Sequence, residues 1–254
     1  MLPHRFSLDG KVALVTGGTR GIGRAVALEF ARAGARLVVA SRKQEAVDAT
    51  VAELKAAGTE ASGLAANVSR PADHARIIDH AVSMFGGLDI LVNNAAVNPV
   101  YGPLEATDAD AFDKIIAVNV RAPFELAKLA LPHFRARGGG VILNISSIGA
   151  LTPEPSLGIY SVSKAALISL TQALARSWGS DNVRANAICP GLIRTDFSAA
   201  LWRDEVVRDH MMRNQAIGRL GEPEDISGLA LFLCSPAGAF CTGGVYVADG
   251  GYTV

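Results

Sequence analysis

The run Lys11-Val-Ala-Leu-Val-Thr16, followed at once by Gly17-Gly-Thr-Arg-Gly21-Ile-Gly23, constrains the fold of this chain more than any other stretch. The first segment is short, almost wholly apolar and rich in Val, which predicts a strand buried on both faces, as parallel strands are. Arg24-Ala-Val-Ala-Leu-Glu-Phe-Ala-Arg-Ala-Gly34 then shows the apolar spacing of a helix, with a glycine just past its end. Strand, glycine turn and helix in that order present backbone N–H groups and a helix N-terminus to a pyrophosphate. The glycines let backbone approach a ligand where a side chain would collide. A tight turn with no ligand would use the same residues, so the rest of the chain has to decide.

Beyond Gly34, apolar strand-like runs keep alternating with longer helical patterns, which implies βαβ units and a parallel sheet. The spacing predicts strands over 12–16, 36–40, 60–65, 90–93, 141–146, 184–188 and 244–247, and helices over 21–33, 44–57, 71–85, 109–137, 158–177 and 223–233. Right-handed crossovers put helices on both faces and ligands at the carboxyl ends of the strands. With half of 254 residues apolar and no linker, repeat or low-complexity run, the chain reads as one domain over residues 1–254. The expected fold class is therefore α/β, a single-domain Rossmann-type doubly wound parallel sheet of about seven strands with helices on both faces.

Tyr160-Ser-Val-Ser-Lys164 adds chemistry. Residues four apart share a helix face, so the Tyr160 phenol and the Lys164 ammonium project together. A nearby cation favours the phenolate and lowers a pKa that is about 10 in model peptides, which makes Tyr160 a candidate general acid/base. Ser147, thirteen residues earlier, either ends a strand or faces the same point.

Thr16-Gly17-x-x-x-Gly21-x-Gly23, Asn93-Asn94-Ala95-Ala96, Asn119, Ser147, Tyr160-x-x-x-Lys164 and Pro190-Gly191 stand in the order and spacing of the short-chain dehydrogenase/reductases, and the resemblance runs from about Leu8 to the C-terminus. Within that family, Ser41-Arg-Lys-Gln44, Asn94-Ala-Ala-Val-Asn-Pro99 and Gly218-Arg-Leu-Gly-Glu-Pro-Glu-Asp225 resemble NADPH-dependent carbonyl and retinal reductases of the peroxisomal type. The resemblance implies hydride transfer between a nicotinamide and a carbonyl or alcohol carbon. It makes Tyr160 the proton donor and Ser147 the group that orients the substrate oxygen. Lys164 would bind the ribose and lower the Tyr160 pKa, and Asn119 would hold a water linking Lys164 to solvent. It also implies cofactor contacts from Gly17, Thr19, Arg20, Gly21, Ile22 and Gly23, from Ser41, Arg42, Asn67 and Val68, from Asn94, Ala95 and Ala96, and from Tyr160, Lys164, Pro190, Gly191, Ile193 and Thr195. Two positions depart from the pattern. Asn67 stands where Asp is common but keeps a carbonyl acceptor for adenine, and Ala96 stands where many relatives have Gly.

Cofactor choice is read at the end of the second strand. NAD sites usually place an acid there for the ribose 2′-hydroxyl, and a 2′-phosphate requires its removal and an arginine nearby. The strand ends Val38-Val-Ala-Ser41-Arg42, with no acid. Ser41 can donate to the phosphate, Arg42 can pair with it in a forked geometry, and Arg20 offers a second clamp. Each arginine alone could equally be a solvated surface charge. Together they favour NADP(H) over NAD(H).

Twenty-four basic residues balance twenty-four acidic ones and no block of like charge appears, so neither nucleic acid nor a membrane is an expected partner. Cys189, Cys234 and Cys241 are odd in number and widely spread, and no signal peptide is visible, which points to the cytoplasm. Cys189 reads as a core residue beside the cofactor loop. The five histidines show no ligand spacing with the cysteines, and no metal is expected.

The segment 195–216 reads as a mobile lid whose Phe197, Leu201, Trp202, Met211 and Met212 face either the pocket or a subunit interface. With Val97, Pro99, Ile148, Leu151 and Leu157, it suggests an apolar or aromatic ketone or aldehyde as the small-molecule substrate. The resemblance further implies a homotetramer, for which Phe124, Leu129, Leu131, Phe134, Leu167, Leu170 and Leu174 offer surplus apolar surface on two long helices. Other readings are a 3-oxoacyl-carrier-protein reductase, which would need a basic rim, a sugar or polyol dehydrogenase, which would need a polar pocket, and a non-catalytic cofactor sensor.

Overall fold

Seven parallel strands form one sheet in the order β3-β2-β1-β4-β5-β6-β7 in the computed structural model, which describes residues 4–254. The strands are β1 (Val12–Thr16), β2 (Arg36–Ser41), β3 (Ala61–Ala65), β4 (Ile90–Asn93), β5 (Gly140–Ile145), β6 (Val183–Pro190) and β7 (Val245–Ala248). The helices are α1 (Gly21–Arg32), α2 (Gln44–Ala56), α3 (Pro71–Phe85), α4 (Ala109–Ile116), α5 (Ala122–Ala136), α6 (Gly158–Trp178), α7 (Ala199–Trp202), α8 (Glu205–Arg213) and α9 (Glu224–Cys234). Chain order reverses direction at β1, between its neighbours β2 and β4, which opens a crevice at the carboxyl edge of the sheet.

Strand side chains alternate between the faces, so β1 feeds two cores. Ala13 and Val15 join Leu37, Val39, Val26, Phe30 and Leu54 on the face covered by α1, α2 and α9. Val12 and Leu14 join Val38, Leu91, Ile77, Ile78 and Leu126 on the face covered by α3, α5 and α6. Burial on both sides explains the unbroken apolar composition of β1. Among the described residues no helix is long and apolar enough to cross a membrane.

Two findings differ from the sequence reading. Leu131, Phe134, Leu167 and Leu174 are buried within the chain's own core, and Leu129 and Leu170 pack against it; of the apolar side chains expected to be surplus, only Phe124 is exposed. The long stripe was needed because α5 and α6 cover several strands at once. The helix expected over 109–137 is interrupted by a π-helical turn at Ala117–Arg121. Pro123 has no N–H to offer the carbonyl four residues back, that of Asn119, so the ladder widens there.

Candidate active site

At the β1–α1 connection Gly17 and Gly21 adopt left-handed φ values of 64° and 52°. The buried Thr16 hydroxyl donates to the Val92 carbonyl at 3.2 Å and accepts from the backbone N–H groups of Asn94 and Ala95 at 3.1 and 3.2 Å. Asn94 Nδ2 in turn donates to the carbonyls of Thr16 and Gly17 at 3.0 and 3.1 Å. Asn94 thereby locks the glycine turn against the end of β4. A Cβ on Gly23 would lie 2.4 Å from both Asn94 Nδ2 and the Gly17 carbonyl, so this glycine is a packing requirement rather than part of the ligand wall.

A cavity of about 830 Å³ follows the carboxyl edge of the sheet from the ends of β2 and β3 to those of β5 and β6. Ser41, Arg42, Asn67 and Val68 line its first end. Gly17, Thr19, Arg20, Gly21 and Ile22 line its middle with Asn94, Ala95 and Ala96. Ser147, Tyr160, Lys164, Pro190, Gly191, Ile193 and Thr195 line the other end. One continuous space therefore joins the glycine turn to the Tyr160–Lys164 pair, which are far apart in sequence. Backbone N–H groups that no Cβ obscures, a helix N-terminus and a long cleft suit a dinucleotide.

At the first end the Thr19 hydroxyl donates to Ser41 Oγ at 3.0 Å. Asn67 Oδ1 accepts from the Ser69 N–H at 3.1 Å, which closes a local turn and leaves one lone pair on that oxygen. Lys43 and Arg70 also line the cavity, beside Arg42, and none of these three cations has an ion pair among the described residues. Their signal in the sequence was position alone: Lys43 follows β2 and Arg70 follows β3. Arg20 is different. Its guanidinium meets Asp196 at 3.6 Å, with both side chains exposed, so the second clamp expected there is engaged with the segment after β6.

At the other end α6 carries Tyr160 and Lys164, 8% and 2% exposed, onto one side. Lys164 Nζ donates to the Ile145 carbonyl at 2.7 Å and lies 5.6 Å from the centroid of the Tyr160 ring. It makes no hydrogen bond to the Tyr160 hydroxyl. Burial therefore dominates: it pushes the Tyr160 phenol up from its ordinary value, against a smaller opposing hydrogen bond with Ser147, and the expected lowering by Lys164 is not realised in this arrangement. The same burial pushes Lys164 down to about 8. Ser147 stands at the start of the 3-10 turn Ile148–Ala150, where its Oγ accepts from the Gly149 N–H at 3.1 Å.

Asn119 lies in the π-helical turn and does not line the cavity. Its Oδ1 accepts from Val97 N–H at 2.9 Å, and its Nδ2 donates to the Val97 carbonyl and Ser163 Oγ, both at 3.0 Å. Its amide thus holds the 94–98 segment against α6, with one lone pair left on Oδ1. Asn144 and Thr171 carry no motif in the sequence, and nothing there marks the contacts that Ser146 and Asn93 make. Ser146 Oγ donates to the Lys164 carbonyl, and Asn93, Asn144 and Thr171 form a buried chain of side-chain hydrogen bonds from β4 through β5 to α6. Only the register Asn93↔Asn144 brings them together.

The segment after β6 contains α7 and α8. The Phe197 ring lies 5.9 Å from the Tyr160 ring, tilted by 42°, its carbonyl accepts from the Tyr101 hydroxyl at 3.1 Å, and Leu201 and Met211 also reach the cavity. Trp202 and Met212 do not. Trp202 Nε1 donates to the Thr195 carbonyl, and the guanidinium groups of Arg194 and Arg203 lie 6.0 and 5.1 Å from the ring centroid. Val97, Ile148 and Leu157 line the cavity as expected, whereas Pro99 and Leu151 do not, and Leu151 is exposed.

Residues 17–253 match a family model described as enoyl-(acyl carrier protein) reductase. The chain is 46% identical over 248 residues to the dehydrogenase/reductase SDR family member 4 of Sus scrofa, covering 98% of this chain and 89% of that protein. Among solved structures it is similar to a 7α-hydroxysteroid dehydrogenase complexed with NADH and 7-oxo glycochenodeoxycholic acid, with a TM-score of 0.94, 35% identity and coverage of 99% and 98%. A protein from Beutenbergia cavernae described as an NAD(P)-dependent gluconate 5-dehydrogenase, solved with NADP at low occupancy, superposes with a TM-score of 0.92 at 32% identity, covering 98% of each chain.

Proposed function

The chain belongs to the short-chain dehydrogenase/reductase family of oxidoreductases acting on carbonyl and alcohol groups, and from that premise we propose that it reduces apolar or aromatic ketones and aldehydes with NADPH. The observation that carries the reading is the single cavity that joins the glycine turn, the cluster Arg42, Lys43 and Arg70, and the group Ser147, Tyr160 and Lys164. When bound, a nicotinamide cofactor supplies or accepts the hydride. The turn from Gly17 to Gly23 and the start of α1 hold the pyrophosphate, while Arg42, Lys43 and Arg70 hold a 2′-phosphate that no acidic side chain at that end repels.

Ser147 orients the substrate oxygen, and Tyr160 gives its phenolic proton to that oxygen as alkoxide character develops. A phenol is protonated at neutral pH, the state reduction requires, and burial pushes Tyr160 further in that direction. Lys164, whose pKa burial lowers to about 8 and which is therefore still largely a cation at neutral pH, holds the ribose. Asn119 positions α6 through Ser163. The segment 195–216 acts as a lid whose Phe197, Leu201 and Met211 exclude water. The working form is a homotetramer and its setting cytoplasmic; the latter is supported by three free cysteines, two of them buried.

Following nicotinamide absorbance with NADPH and NADH against aryl ketones, diketones, retinal and acyl thioesters tests the assignment. Tyr160→Phe is expected to lower turnover by on the order of a hundredfold while leaving cofactor binding nearly intact. Retention of most reductase activity in that variant would remove Tyr160 as the proton donor.

A further inference from the structure

The substrate end of the cavity is apolar where Ile148, Leu157, Phe197, Leu201 and Met211 line it, yet it also carries the carboxylate of Glu154. Glu154 lies in the segment between the 3-10 turn Ile148–Ala150 and α6, shortly after Ser147. The Tyr252 hydroxyl donates to its Oε1 at 2.6 Å, the length of a charge-assisted bond to a carboxylate. No cation pairs with Glu154 among the described residues. Its second oxygen, Oε2, takes no hydrogen bond there and is not sealed off from solvent.

Glu154 is thus a carboxylate fixed by one oxygen and open at the other. Anchoring Tyr252 requires only a neutral acceptor, which an amide would supply. The negative charge exceeds that structural need, and a charge on a half-buried side chain at the wall of a cavity acts more strongly on a ligand than one in bulk water. Lys114 on α4 also borders the cavity, but it is exposed and makes no ion pair with Glu154, so its hydrated ammonium is the weaker influence.

We propose that Glu154 determines specificity for the reaction assigned above, on which this inference rests. It selects carbonyl compounds that carry a hydrogen-bond donor, above all an ammonium, away from the reacting carbonyl, and it rejects those that carry a carboxylate or phosphate. Tyr252 aims the carboxylate.

The test uses a matched set of aryl ketones bearing an aminomethyl, a methyl or a carboxylate group at the far end, with the wild-type protein, Glu154→Gln, Tyr252→Phe and Lys114→Met at neutral pH. Glu154→Gln keeps an acceptor for Tyr252 and removes the charge. It is expected to cut the ratio of kcat/KM for the amine over the carboxylate compound by about tenfold, mostly through KM. Tyr252→Phe should retain the sign of the preference. An unchanged ratio in Glu154→Gln, or a ratio governed instead by Lys114→Met, overturns the proposal. Turnover of none of the three ketones by the wild-type protein would instead count against the oxidoreductase reading. Calorimetric titration of the same compounds into the NADPH-supplemented protein then decides the charge question by itself. Wild-type binding must favour the amine and Glu154→Gln must lose that preference; equal wild-type affinities overturn the proposal regardless of activity.

Discussion

An arginine in forked contact with a phosphate contributes roughly 1.5–3 kcal/mol, or about ten- to hundredfold in affinity, provided no carboxylate competes for it. Arg42 meets that condition, since it lines the cavity without an ion pair, whereas Arg20 is already bound to Asp196. The NADPH preference should therefore reside chiefly in Arg42, with Lys43 and Arg70 adding field and Arg20 contributing least. Arg42→Ala should raise KM for NADPH by about tenfold or more and barely change that for NADH. Ser41→Asp should go further, because it sets a carboxylate against the 2′-phosphate while offering an acceptor to the 2′-hydroxyl of NADH. Steady-state kinetics with both cofactors check this. Equal wild-type efficiency with the two, or a preference indifferent to both substitutions, would make Ser41 and Arg42 ordinary surface residues.

At the scale of elements, β1, α1 and the Tyr160–Lys164 face of α6 were legible in the sequence because each is specified locally, by an apolar run, a glycine turn or a four-residue spacing. The same logic separates two glycines. Gly23→Ala would drive a Cβ to 2.4 Å from the Gly17 carbonyl, and backbone cannot yield as a side-chain tip can. It should cost about 1–3 kcal/mol and abolish saturable nucleotide binding. Gly228, in the interior of α9 with nothing within 4 Å of its Cβ position, should behave oppositely, and Gly228→Ala should stabilise by about 0.5–1 kcal/mol through helix propensity and a less disordered unfolded chain. Thermal unfolding with cofactor titration checks both, and a Gly23→Ala protein that binds nucleotide normally would refute the role given to the turn. What stayed illegible depended on tertiary neighbours or on shortness. Asn144 and Thr171 acquire their roles only through the pairing of β5 with β4 and the docking of α6. The four residues of α7 have no period to detect, although Asp204, whose carboxylate accepts from the N–H groups of Val206 and Val207, was a readable cap for α8. The π-helical turn at Asn119 was foreshadowed by Pro123 but needed the structure to be placed.

For the molecule as a whole, two of the places where large apolar side chains stand in water bear on assembly. Phe112, Phe124 and Val162, on α4, α5 and α6, are 42%, 39% and 52% exposed. Phe240 and Val254, near the open edge of the sheet formed by β7, are fully exposed, and Val247 on that strand is 42% exposed. Apolar surface of this kind, set at two distinct places, suits two isologous contacts, and two such contacts with perpendicular two-fold axes close a tetramer. The basis differs in part from the one expected from the sequence, where the terminal strand and residues 252–254 are expected to supply one contact. Of the seven apolar side chains expected on the two long helices, Leu131, Phe134, Leu167 and Leu174 serve the chain's own core, Leu129 and Leu170 pack against it, and Phe124 alone is exposed. The wild-type protein should sediment as a tetramer at micromolar concentration. Phe124→Glu should break one contact and Phe240→Lys the other, each leaving a dimer, and the double variant should be monomeric. Because Tyr252, which holds Glu154, lies in the same C-terminal segment as Val254, the Phe240→Lys dimer should also lose activity more than the Phe124→Glu dimer. A monomeric wild type, or a Phe124→Glu protein that remains tetrameric, would show that these patches are ordinary exposed surface.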